Sequence, residues 1–236
     1  MLDRIYMLHG FMGTGDLHFK KQVEFFKDHM EIVNLDLPGH GLSEIEASSH
    51  YFENTLEWLI EQLKLTGAGY IIGLSLGASL AIHAALKEPN LVKGIILTGY
   101  TPFIPEDLKD IMEYQYKYFM NIEENDRKTA IYLEGVHGEK YKDTLKKVLY
   151  VMTYEYPTVA EESISSFKLP TLVLNGSNDL HEINAALFMK SKNPEIKIGL
   201  IPGAGHTANI EKPHIFNHIV KDFINDLKEN KSNEDS

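Results

Sequence analysis

The sequence predicts an α/β fold in which a mostly parallel sheet of about six strands carries helices on both faces. Two observations predict it. Strand-like and helix-like segments alternate along most of the chain, and the strand-like runs are short and largely apolar, as in strands covered on both faces. A third observation bounds the size: 236 residues, 43% hydrophobic and 24% charged, suit one well-buried core rather than two.

The elements follow in order. Asp3 to Leu8 reads as a strand, residues 17–29 as a helix, Glu31 to Leu35 as a strand and residues 51–65 as a helix. Tyr70-Ile71-Ile72 is a third strand, and Ala78 to Leu86 is rich in good helix formers with one apolar face. Val92 to Leu97 is a fourth strand. The alternation resumes at Thr171 to Leu174, with a helix over 183–190, a strand from Ile196 to Ile201 and a helix from Pro213 to Leu227. The polar residues after it, 229–236, are expected to fray.

The interruption, residues 100–168, reads as an inserted helical cap, so the core consists of residues 1–99 and 169–228. Helices are expected there over 105–119, 123–133, 139–151 and 158–167, punctuated by Pro102, Pro105 and Pro157. Nine of the twelve tyrosines lie in this insert, most of them expected to pack it onto the sheet and a few to line a pocket over an acyl group. Its one arginine, Arg127, follows Glu123 and Glu124 at the spacing that neutralises charge on a helix surface.

The chemistry gathers where strands end. Gly73-Leu74-Ser75-Leu76-Gly77 follows one strand and opens a helix, the setting in which a G-x-S-x-G turn pushes a serine hydroxyl into open space. A serine needs a histidine to take its proton, and the histidine needs an acid to orient it. Asp179 ends the polar turn after the Thr171 strand, and His206 sits in a Gly-rich loop after the Ile196 strand. Asp179 also stands where the next helix needs an N-cap, but the order Ser75, Asp179, His206 is that of a catalytic triad on such an elbow. Two backbone N–H groups should face the developing oxyanion: Leu76, directly after the serine, and Phe11, in the turn after the first strand. His9 is expected to brace that turn.

On His9-Gly10-Phe11, Asp36-Leu37-Pro38-Gly39-His40-Gly41-Leu42-Ser43, the elbow at Ser75, Leu174 to Asp179, and Gly205-His206 with Glu211 and Pro213, the chain resembles the α/β-hydrolase superfamily, in its compact bacterial esterase and lyase form. The resemblance implies Ser75, Asp179 and His206 as catalytic, Phe11 and Leu76 as the oxyanion hole, and a structural loop around His40. It implies a serine carboxylesterase acting on a small-molecule ester, and the tyrosine-rich insert with its one neutralised arginine points to an uncharged, short to medium acyl group. Two alternatives stand beside it: a lyase like the menaquinone-pathway synthase that forms succinyl-hydroxycyclohexadiene carboxylate, and a hydrolase-like sensor that binds a ligand and then a protein partner. The lyase family places an arginine shortly after the elbow and others in the cap, whereas here Ala78, Ser79 and Leu80 follow Gly77 and the only arginines are Arg4 and Arg127. The family usually begins with an antiparallel strand pair that this chain has no room for, so the Glu31 strand should be an edge and the protein a monomer or a weak homodimer.

Composition narrows the partners. A net charge of -11 argues against nucleic acid, and the absence of cysteine excludes disulfides and thiol chemistry. No signal-like or membrane-spanning run is apparent, which makes the cytoplasm the expected location and a membrane an unexpected partner. His214 and His218 share a helix face but lack a third ligand, so no metal and no cofactor is expected.

Overall fold

The structure, a computed structural model, describes residues 2–234. Six parallel strands form one sheet: β1 (Arg4–Leu8), β2 (Glu31–Leu35), β3 (Gly69–Leu74), β4 (Val92–Thr98), β5 (Thr171–Gly176) and β6 (Lys197–Ile201), in spatial order β2-β1-β3-β4-β5-β6. Every neighbouring pair is parallel, for example Ile5 opposite Ile32 on one side and Tyr70 on the other. The chain winds outward from β1 in both directions, which leaves a crevice between the carboxyl ends of β1 and β3, where open α/β sheets bind their ligands. As expected, among the described residues the sheet has no initial antiparallel pair and β2 is an edge.

Alternation along each strand builds two cores. Tyr6, Leu8, Ile71, Ile95, Leu97 and Val173 face α2 (Tyr51–Thr66), α3 (Leu76–Lys87) and α9 (Leu180–Lys192), and all six are fully buried. Ile5, Met7, Ile72, Leu74, Ile96 and Leu174 face the other way, against α1 (Gly15–Phe26) and α11 (Pro213–Glu234). A strand covered on both sides has little room for an unpaired charge, which is why the interiors of these runs lack charged residues.

Between β4 and β5 the insert comprises α4 (Lys109–Met120), α5 (Ile122–Asn125), α6 (Arg127–His137), α7 (Tyr141–Tyr154) and α8 (Glu161–Ser166). One expected helix is two, because Asp126 leaves helical geometry (φ -152°) and caps α6 by accepting the Thr129 N–H. That break separates Glu123 and Glu124 from Arg127, and Glu123 pairs instead with Lys142 at 2.7 Å. A short helix, α10 (Ala208–Glu211), follows His206. The end of the chain also departs from expectation, since α11 continues to Glu234; residues 235 and 236 of the expected frayed tail lie outside the described residues. Among the described residues no helix is long and apolar enough to cross a membrane.

Candidate active site

Ser75 forms the corner between β3 and α3. Its backbone is in the left-handed half of conformational space (φ 54°, ψ -113°), a strained state for a residue with a side chain. Bonds over-determine it: the Ser75 N–H donates to Thr98 O at 2.9 Å, and Ser75 O accepts from the Ala78 and Ser79 N–H groups. The flanking glycines permit the sharp turn, since a Cβ on Gly77 would lie 2.0 Å from Leu8 O and one on Gly73 2.3 Å from Gly77 O. Both contacts are with backbone, so nothing could move aside.

The turn after β1 faces this corner; a Cβ on Gly10 would stand 3.2 Å from Ser75 Cβ. The peptide joining Gly10 and Phe11 is pinned by its carbonyl, which accepts from the Gly13 N–H at 3.1 Å and from His9 Nδ1–H at 2.9 Å. A trans peptide directs its N–H opposite its carbonyl, so Phe11 N–H points away from both donors. Among the described residues neither Phe11 N–H nor Leu76 N–H has a partner; the latter is the free first donor of a helix. His9 braces the turn as expected: the Leu37 N–H donates to its Nε2 at 2.9 Å, so the proton lies on Nδ1. Complete burial pushes its pKa down to about 3.

His206 Nδ1–H donates to Glu182 Oε1 at 2.5 Å. The imidazole is half-exposed and the carboxylate is buried. Burial alone would lower the His206 pKa, but the bond to Glu182 and the charges of Glu182, Asp179 and Glu211 outweigh it and raise it. Glu211 also holds the loop on both sides of His206, accepting the Gly205 N–H at 3.0 Å and the Thr207 hydroxyl at 2.9 Å. Asp179, expected to orient His206, does not reach it. Asp179 is the N-cap of α9, its Oδ1 accepting the N–H groups of His181 and Glu182 at 3.0 and 3.1 Å. The acid on His206 comes from one helical turn later. The sequence carried a signal for this: an N-cap Asp followed three residues on by Glu marks two carboxylates on one first turn. Glu182 is anchored by buried Asn175, whose Nδ2 donates to Glu182 O at 3.1 Å and to Tyr100 O at 3.3 Å.

The insert is tied to the loops that leave β1 and β2. His137 Nε2–H donates to Met12 O at 3.1 Å while its Nδ1 accepts the Gly41 N–H at 2.9 Å. The Thr144 hydroxyl donates to Gly39 O at 2.9 Å. His40 lies inside this joint, its ring 4.8 Å from that of His9 and its Nδ1–H donating to Pro38 O, a structural position as expected. Beside the Phe11 turn the insert is apolar, with Phe119 edge-on to Phe11 at 5.7 Å and Met12 packed with Ile122, Leu133 and Leu145. Its cations are paired or exposed: Lys109, Lys117, Lys142 and Lys147 pair with carboxylates, Lys140 donates to Ser43 O, and Arg127, Lys128, Lys146 and Lys168 are exposed. Tyr114, Tyr132, Tyr150 and Tyr154 are exposed. Tyr141 lines a cleft of about 400 Å³ with Phe119, Ile122 and Leu145, a cleft that Ser75 and His206 do not line.

Residues 3–146 match the model of the alpha/beta hydrolase fold family. The crystal structure of NosK from Streptomyces actuosus superposes with a TM-score of 0.89 at 32% identity, over 97% of this chain and 100% of that one. The chain is 25% identical to a putative 2-succinyl-6-hydroxy-2,4-cyclohexadiene-1-carboxylate synthase of Haemophilus influenzae, over 93% of this chain and 96% of that protein. It is 27% identical to a pimeloyl-[acyl-carrier protein] methyl ester esterase of Nitrosospira multiformis, over 80% and 82%. With this sheet, this elbow and these matches, the chain belongs to the alpha/beta hydrolase fold family.

Proposed function

We propose that the protein is a serine hydrolase that cleaves a carboxylic ester with a short to medium, uncharged acyl group. The observation that carries the reading is the 2.5 Å bond between His206 and buried Glu182, in a fold that also presents Ser75 on a strained elbow. Ser75 Oγ attacks the ester carbonyl and His206 Nε2 takes its proton. Glu182 holds the Nδ1–H tautomer and favours the imidazolium. The oxyanion is received by the N–H groups of Phe11 and Leu76. His206 then protonates the departing alcohol, and water, deprotonated by the same nitrogen, releases the acid from Ser75. The helical insert serves as a lid, and its apolar surface beside Phe11, without an inward cation, favours an uncharged acyl group, because a buried carboxylate without a partner costs several kcal/mol.

Similarity to a putative synthase over nearly the whole chain supports a second reading, a lyase acting on a multiply anionic substrate. The placement of the insert's lysines and of Arg127 speaks against it. The test is the rate on butyrate and hemisuccinate esters of one alcohol, with a fluorophosphonate probe mapped by peptide mass. The hydrolase reading expects the butyrate to be preferred and Ser75 to be labelled. A faster hemisuccinate favours the lyase, and label on Ser43 or Ser79 defeats the elbow assignment.

A further inference from the structure

We propose that His18 is a substrate-contacting residue on the leaving-group side of the site, donating a hydrogen bond from Nε2 to a second oxygen carried by the alcohol portion of the ester. This rests on the hydrolase reading. Nδ1 of His18 accepts the Gly10 N–H at 3.1 Å, so the neutral ring carries its proton on Nε2 and offers a donor there. Burial and the neighbouring His206 and His137 push the His18 pKa down to about 4, which keeps the ring neutral at pH 7. His9 and His137 have partners on both nitrogens, and His40 Nε2 is sealed inside the protein. The Nε2 of His18 has no acceptor among the described residues, and it is not among the enclosed unpaired atoms, so it opens onto accessible space.

The place of that donor is set from two sides. The ring edge rests on Gly13, where a Cβ would come within 2.1 Å of Cε1, and its Nδ1 holds the turn that faces Ser75. The backbone of His18 is held from the His206 side, since Asn209, three residues after His206, donates from Nδ2 to His18 O at 2.7 Å. Gln22, one turn along α1, donates in turn to Asn209 O at 2.9 Å. His18 therefore stands between the oxyanion turn and the base. Because His206 must pass its proton to the departing alkoxide, the alcohol portion lies on that side of the carbonyl. An ether, hydroxyl or carbonyl oxygen there would meet a neutral donor whose own position is locked.

The test compares kcat/KM for the butyrate esters of 2-methoxyethanol and 1-butanol, two alcohols of equal length that differ by one oxygen. The ratio of the two rates is measured for the unmodified protein, His18→Phe and His18→Asn, with thermal melts to establish folding. Losing the Gly10 bond slows both esters alike, so the ratio isolates the contact. The expected result is a ratio that falls roughly three- to tenfold in His18→Phe, the size of one hydrogen bond. It should also fall in His18→Asn, whose amide can still accept the Gly10 N–H but stops short of the Nε2 position. An unchanged ratio in either folded variant overturns the proposal while leaving the hydrolase reading intact. No turnover of either ester, with no label on Ser75, defeats both.

Discussion

His206 and His9 are both histidines at the carboxyl ends of parallel strands, both hold a proton on Nδ1, and they do opposite things. His9 donates to a carbonyl and accepts an amide, so both nitrogens are committed and burial keeps the ring neutral. His206 donates to a carboxylate, and three acidic groups raise its pKa against the cost of burial. The partner decides the role. A neutral partner turns a buried imidazole into a brace, while a carboxylate stabilises the charged form that proton transfer requires.

The largest test of that contrast is removal of the reacting groups. Ser75→Ala or His206→Ala should lower kcat by roughly 10⁵–10⁶, read in an ester assay, and retention of a tenth of the activity would remove them from the reaction. Next comes the acid. Glu182→Ala should cost roughly 10³–10⁴ in kcat, whereas Asp179→Ala should cost mainly a helix cap, about 1 kcal/mol of stability in a denaturant titration. A larger kinetic loss for Asp179→Ala would return the acid to that position.

The pH profile sharpens the comparison further. A base works only when neutral, so kcat/KM should rise with pH through a pKa above the ordinary histidine value of about 6.5. Glu182→Gln removes the charge that raises it, so the acid limb should move to lower pH as the plateau falls; a limb that stays put refutes the link. His9→Leu should do the reverse. It should leave the limb in place and lower kcat by about tenfold to a hundredfold, through a misdirected Phe11 N–H.

The smallest effect is on stability. His9 has its pKa lowered to about 3, so its contribution to stability is full above the unfolded value of about 6.5 and is lost as pH falls toward 3. Thermal melts of His9→Leu should therefore lose less between pH 7 and pH 5 than those of the unmodified protein. Equal losses would mean that other groups carry the acid sensitivity.

Much of this was legible in the residues themselves. The apolar runs located all six strands, and Ser75 between two glycines located the elbow, because steric demands at such a turn leave few residue choices. The acid was legible only as one of two carboxylates. Asp179 and Glu182 share the first turn of α9, and pattern alone does not say which carboxylate caps the helix and which turns toward His206. The pattern of the insert predicts four helices where Asp126 makes an extra break, since an aspartate in a polar run serves equally as helix interior or cap. The tail reads as frayed because its residues are polar and charged. Phe216, Val220, Phe223 and Ile224 nucleate α11 on the sheet, and once a helix is nucleated, lysine and glutamate extend it at little cost.

The position of Glu182 has an evolutionary consequence. An acid borne on the first turn of a helix has two addresses, the cap and the residue three places on, and both lie within electrostatic reach of the same imidazole. A lineage can move the acid between them by two point substitutions while the loop lengths, the sheet and the base stay where they are. The two addresses fall in different alignment columns, so a column scored alone would report as lost an acid that had only moved to its neighbour.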